Sequence, residues 1–322
     1  MTKYEIWDKE EYDYPLAFGF VPNMRDYLLE DGEIHPCMLI APGGGYAFVS
    51  PSEGEVVARE FNALGYHCFV LTYTTNILTA VPLMSQPMKD MARAIRFLRK
   101  RAETFRLDPN RLYICGFSAA GHLCASICDY FEELSDSNPA YQDISCRPDG
   151  AILAYPVITS GAKAHQGSFQ CLLGRDIYDR RDAESAALLE RYSLEKHVGP
   201  NTPPCFLWQT MTDDLVPVEN SYLYEAALRE QGIPHAHHVF SHGHHGVSVA
   251  NEAWASGDVG EPYALEQLMA IVDAAEAGQY EMSGEILAQL RGYIDPMSKN
   301  QDVVYPEVRI WPTLADAFFR AQ

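Results

Sequence analysis

At 322 residues, 47% of them hydrophobic, the chain is long enough to bury a sizeable core, and one domain spanning residues 1–322 is expected. Its 24 Lys and Arg against 44 Asp and Glu give a formal net charge of −20, which argues against nucleic-acid phosphates and anionic membrane surfaces as partners and for a neutral or cationic one. The first ten residues lack the apolar core of a signal peptide, no run reaches bilayer length, and the eight cysteines form no C-x-x-C pair, so a cytoplasmic protein with reduced, buried thiols is expected.

From about residue 36 onward, short β-rich runs alternate with stretches of helical period, the pattern of a parallel sheet covered by helices. The first strand, 37–41, runs into Pro42-Gly43-Gly44-Gly45-Tyr46, where three glycines let the backbone approach a ligand closely. This string lacks the Lys-Ser/Thr of a phosphate-binding P-loop and the third glycine of G-x-G-x-x-G. Ser50, Pro51, Ser52 and Glu53 then predict a capped helix that runs to about Ala63 and ends at Gly65. After a strand at 67–73 comes a helix with Met88, Met91, Ile95 and Leu98 on its inner side. Arg93, Arg96, Arg99, Lys100, Arg101 and Arg106 are read as a solvated basic face around it.

Next, a strand at 111–115 turns abruptly at Ser118 into a helix marked by Leu123, Ile127 and Phe131. Further strands are predicted at 150–155, 205–210 and 236–240. Residues 251–304, acidic and rich in alanine, break the rhythm with helices around 263–277 and 283–291, either an insertion over the active face or a pair on the rim. A closing helix at 311–319 is expected to pack through Trp311, Leu314 and Phe318.

The strand–serine–helix corner carries the chemistry. A serine hydroxyl is a weak nucleophile, and a sharp turn lifts it clear of the sheet so that a histidine can reach it and backbone N–H groups can face the developing oxyanion. Gly116 meets the demand for a small neighbour, while Ala120 stands where G-x-S-x-G has its second glycine. The string Gly246-Val-Ser248-Val-Ala250 has the same spelling but follows a histidine-rich loop instead of a strand, so context selects Ser118. In this chemistry the order along the chain is serine, acid, histidine. Asp213 and Asp214 follow an apolar strand, and one of them is expected to orient the base while the other caps the turn after Val216-Pro217. The base must come from His242, His244 or His245, since His237 and His238 lie on the preceding strand. Gly44, Gly45 and the N–H of Ala119 are the candidate oxyanion donors. The histidine cluster has no regular ligand spacing, and Cys124 with Cys128 lacks two further ligands, so neither a metal nor a cofactor is expected.

Five blocks resemble the α/β-hydrolase esterases of the acetyl-xylan and feruloyl esterase kind, and their carbohydrate-deacetylating relatives. They are Pro42-Gly-Gly-Gly-Tyr46, Gly116-Phe-Ser-Ala-Ala-Gly-His-Leu123, Arg147-Pro-Asp-Gly-Ala-Ile-Leu-Ala-Tyr-Pro-Val-Ile-Thr159, the stretch from Trp208 to Ser221, and Phe240-Ser-His-Gly-His-His-Gly-Val-Ser248. The resemblance implies an α/β-hydrolase fold, a mostly parallel central sheet flanked by helices, with 251–304 as a helical insertion before the C-terminal helix. It also implies Asp213 as the acid, four residues before the proline of Val-Pro-Val, and His245 as the base, directly before Gly-Val-Ser. The expected activity is removal of short acyl groups, acetyl above all, from a small-molecule or oligosaccharide ester by Ser118, His245 and Asp213. A homo-oligomer is compatible with this reading. A peptidase of related fold and a non-catalytic hydrolase-fold binding protein are the alternatives.

Overall fold

A computed structural model describes residues 1–294 and 304–322. Its strands are β1 (Lys3–Glu5), β2 (Asn23–Tyr27), β3 (His35–Ala41), β4 (His67–Thr72), β5 (Leu107–Phe117), β6 (Gly150–Ala154), β7 (Cys205–Thr210) and β8 (His235–Phe240). They form one sheet in the order β1-β2-β4-β3-β5-β6-β7-β8. From β4 to β8 along that order every pairing is parallel, while the β1–β2 and β2–β4 pairings are antiparallel. This is the α/β-hydrolase fold that the sequence blocks imply.

Side-chain alternation explains the three layers. Along β3, Cys37, Leu39 and Ala41 face one core and Met38 and Ile40 the other, all fully buried. The first core is closed by the helices Gln86–Lys100, Ala119–Tyr130 and Glu219–Glu230, through Met91, Ile95, Leu123, Ile127, Tyr224 and Leu228. The second is closed by Glu55–Ala63 and Trp311–Arg320. The packing face of that last helix is Trp311, Ala315 and Phe319, spaced by four, rather than the predicted Trp311, Leu314 and Phe318, of which Leu314 and Phe318 are only partly buried.

Three expectations fail here for identifiable reasons. Ser50 makes no side-chain cap: Pro51–Glu53 is a separate 3₁₀ turn, and Gly54 at φ −103°, ψ −98° breaks the chain before the helix Glu55–Ala63 starts. That break turns Glu53 inward. The basic face is not solvated at its centre, since Arg93 and Arg96 are 1% and 5% exposed. Arg93 is gripped by Asp136 and Glu11 and lies over the Trp7 ring, while Arg96 donates to the Leu134 and Ile144 carbonyls. Buried guanidinium groups need such partners, which lie far away in sequence. Strands β1 and β2 were not anticipated at all.

All eight cysteines are free and buried. Among the described residues no helix is long and apolar enough to cross a membrane. Within 251–304 the helices Glu266–Glu276 and Gly284–Ile294 pack on each other around Leu268, Ile271, Val272 and Leu290, with Phe48 and Ile77 against them. The remainder of that segment, 295–303, lies outside the described residues.

Candidate active site

Parallel strands end on a common edge, and this edge gathers the residues singled out in the sequence. Ser118 follows β5, Asp213 follows β7 and His245 follows β8. The Ser118 backbone sits at φ 53°, ψ −118°, a conformation an L-residue adopts only under constraint. Its N–H donates to the Ala154 carbonyl at 3.0 Å and its own carbonyl accepts from Val157 at 3.0 Å, which holds the turn in place. Gly116 is required beneath it, because a Cβ there would overlap the Ala120 carbonyl and approach Cys124 Sγ at 2.6 Å. Ala120 itself is fully buried without displacing the corner, since it is Gly121 that faces Pro156.

Ser118 Oγ lies 2.8 Å from His245 Nε2, and His245 Nδ1 lies 2.8 Å from Asp213 Oδ2. With Nδ1–H donating to the carboxylate, Nε2 is left as the acceptor for the serine hydroxyl. The Asp213 side chain is 1% exposed and that of His245 11%, so the pair is shielded from water on most sides. Asp213 is further held by the Leu215 and Val216 N–H groups on Oδ1, at 3.0 and 2.9 Å, and by Gln209 Nε2 at 3.3 Å on Oδ2. The turn-capping role expected of the second aspartate therefore falls to Asp213. Asp214 instead accepts the backbone N–H of His245, which draws its carboxyl below the usual range.

The other histidines have separate partners. His235 meets Glu225, His238 stacks near Phe206 and Phe240, His242 contacts Ser241, and His244 meets the Tyr305 hydroxyl. Among the described residues no three His, Cys, Asp or Glu side chains come together so as to hold a metal ion. The look-alike Ser248 is fully buried, its N–H donating to the Tyr155 hydroxyl and its carbonyl accepting from Trp311 Nε1.

Gly44 and Gly45 line the cleft beside Ser118 with φ +118° and +68°. A side chain at Gly44 would overlap the Phe48 carbonyl, so this loop exists only with glycine there. The loop is pinned on both sides: Tyr73 donates to the Pro42 carbonyl, and Tyr46 meets His122 Nδ1 at 2.9 Å. Ala119 opens the helix Ala119–Tyr130, whose first-turn N–H groups have no intrahelical acceptor. These are the features of an anion-stabilising pocket at a serine.

The cleft has a volume of about 660 Å³. Beyond the residues already named, Phe48, Glu53, His165, Trp254 and Tyr293 line it. None of these five was anticipated as a site residue. Glu53 was read as a helix-start residue, His165 comes from a region with no motif, and Tyr293 sits on the second insertion helix. His165 Nδ1 meets Ser168 Oγ at 2.8 Å, and burial, aided by the neighbouring His245, lowers its pKa.

A family model described as BD-FAE matches residues 29–228. An endo-1,4-beta-xylanase B of Butyrivibrio fibrisolvens is 49% identical over 264 residues, covering 82% of this chain and 40% of its own length. An acetylxylan esterase of Xylanibacter ruminicola is 31% identical over 211 residues, covering 64% of this chain and 39% of its own. The chain thus spans about two fifths of the length of these curated relatives. Among solved structures, an acetyl ester-xyloside bifunctional hydrolase from Caldicellulosiruptor lactoaceticus superposes with a TM-score of 0.70 at 33% identity, covering 86% of this chain and 96% of that one. A carboxylesterase from Lactobacillus plantarum WCFS1 shares the fold, with a TM-score of 0.64 at 22% identity over 94% of this chain and 92% of that one.

Proposed function

The chain belongs to the BD-FAE family, and from that premise we propose that it is a serine carboxylic ester hydrolase that removes short acyl groups, acetyl above all, from carbohydrates such as xylo- or manno-oligosaccharides. The observation that carries this reading is the continuous relay of two 2.8 Å contacts from Ser118 through His245 to Asp213, at the mouth of an open cleft. The substrate class is supported by the printed names of the acetylxylan esterase and of the acetyl ester-xyloside hydrolase. The xylanase name belongs to a protein of which this chain spans 40%. Glycoside hydrolysis ordinarily uses two carboxyls flanking the scissile bond, whereas the cleft lining contains a single one, Glu53, among the described residues.

In the proposed reaction, Ser118 Oγ attacks the ester carbonyl while His245 Nε2 takes its proton. Asp213 holds Nδ1–H and stabilises the imidazolium. Negative charge gathering on the carbonyl oxygen is met by N–H groups of Gly44, Gly45 and Ala119. His245 then returns the proton to the leaving sugar hydroxyl, and water repeats the cycle on the acyl-serine.

Changing Ser118 to Ala should lower hydrolysis of p-nitrophenyl acetate by at least about three orders of magnitude without unfolding the protein. Mass spectrometry of acetylated oligosaccharides before and after incubation should show losses matching acetyl groups. Activity retained by a folded, contaminant-free Ser118→Ala protein overturns the reading. Preference for peptidyl amides would favour a peptidase, and absence of fluorophosphonate labelling a binding protein.

A further inference from the structure

Glu53 lies in the floor of the cleft and is 4% exposed, yet the relay does not use it. Its Oε2 accepts the Gly43 N–H at 2.7 Å and its Oε1 accepts the Tyr155 hydroxyl at 2.7 Å. That hydroxyl in turn accepts the Ser248 N–H at 3.2 Å, three residues beyond His245. The Tyr155 ring stands edge-on to the His245 imidazole, with centroids 5.0 Å apart. One carboxyl therefore joins the glycine loop after β3, the end of β6 and the histidine loop after β8.

Gly43 has little freedom in this arrangement. A Cβ there would lie 2.6 Å from the Phe117 carbonyl and 3.0 Å from Ser118 Cβ, so its backbone is packed directly against the elbow. The same Cβ would lie 3.0 Å from Glu53 Oε2, so the carboxyl closes on Gly43 beside the elbow. Burying a carboxyl is costly, and burial pushes the Glu53 pKa up, opposed by the hydrogen bonds from Tyr155 and Gly43 and by the nearby His245. An apolar side chain would fill the space without that cost, but it could not fix the direction of two donors on two different loops.

We propose that Glu53 is a positioning residue for the ester hydrolysis, setting the Gly44–Gly45 loop against Ser118 through Gly43 and seating the His245 loop through Tyr155. This assignment rests on the hydrolase reading above. Glu53 acts through its partners and forms no bond with substrate. Gln at this position can still accept from Gly43, but its amide nitrogen cannot accept the Tyr155 O–H, so the charged acceptor that links the loops is lost while the side-chain volume is kept.

The test compares Glu53→Gln, Tyr155→Phe and the double variant in p-nitrophenyl acetate hydrolysis, with rates divided by active sites counted to completion with a fluorophosphonate. Glu53→Gln is expected to lower kcat per site by about tenfold to a hundredfold, the size of loss caused by small misplacement of catalytic groups, with KM within about twofold. The double variant should lose no more than the worse single one, because both changes cut the same link. Unchanged kcat per site with a lowered melting temperature would make Glu53 a strut for stability alone, and losses that multiply in the double variant would also overturn the assignment. Should Glu53→Gln fail to fold, Tyr155→Phe alone decides by the same split between kcat and KM. A folded Ser118→Ala protein that remains active removes the hydrolase reading and this assignment with it. An inactive Ser118→Ala protein beside a fully active Glu53→Gln protein removes the Glu53 assignment only.

Discussion

Asp214 accepts the backbone N–H of His245 at 3.1 Å, while the residue before it, Asp213, takes the imidazole of the same histidine at 2.8 Å. Adjacent carboxylates thus hold one residue by two different handles. The first fixes where the loop runs, and the second fixes which ring nitrogen carries the proton.

This division predicts unequal losses. Asp213→Asn should lower kcat by roughly three to four orders of magnitude, because an amide can present the wrong partner to Nδ1 and strand the histidine in the unproductive tautomer. Asp214→Ala should cost only about tenfold, by loosening the loop. Steady-state kinetics of the two variants with one ester gives the comparison, and equal losses would count against it.

Asp129 offers a pH-dependent test away from the cleft. Its Oδ1 accepts from Tyr224 and Thr202, its Oδ2 has no hydrogen-bond partner among the described residues, and burial pushes its pKa up to about 8. Between pH 4 and 8 the unfolded chain has released this proton while the folded one retains it. Folding stability therefore falls as pH rises through that window. Asp129→Asn removes the titration and should stabilise the protein by a few kcal/mol at pH 8 and by much less at pH 5. Urea midpoints at the two pH values measure it, and a gain independent of pH would contradict it.

Arg93 should behave as a buried ion-pair partner. Removing it leaves Asp136, whose side chain is 3% exposed, with the Asn138 N–H at 3.0 Å and, as a positive charge, Arg96 at 3.8 Å. Arg93→Ala is expected to cost about 3 kcal/mol, much of it from the abandoned carboxylate. Replacing Asp136 by Leu at the same time should recover part of the loss. Denaturant unfolding of the single and double variants checks both statements.

Strands β3 to β7 were legible because a strand buried on both faces is written as an apolar run, as in Met38-Leu-Ile40 or Phe206-Leu-Trp208. Strand β2, between β1 and β4, was not, since Asn-Met-Arg-Asp-Tyr has no apolar pattern. Its buried Asn23 donates to Glu266 and its Asp26 accepts from Thr2 and Tyr4, contacts that sequence does not display. The same limit hid Glu53 and misjudged Arg93. A charged residue that goes inside does so because distant partners meet it there, and spacing along a helix predicts the solvated alternative. Ser118 was nameable because a strand end followed by a small-residue turn is a local signal; the same kind of signal left Asp213 beside Asp214 and His245 beside His242 and His244, and it was the resemblance to the esterase blocks that implied Asp213 and His245. The division of labour between Asp213 and Asp214 was not, because it depends on which oxygen each loop can reach.

Trp311 Nε1 donates to the Ser248 carbonyl at 3.0 Å, and its indole stacks on Trp208. During synthesis Ser118, Asp213 and His245 all leave the ribosome before the indole that latches their last member. A nascent chain stalled ahead of residue 304 should therefore carry every reacting group and still take up fluorophosphonate far more slowly than one from which the closing helix has also emerged. Competence to react would then arrive in one step, timed by the arrival of a tryptophan that never touches the ester.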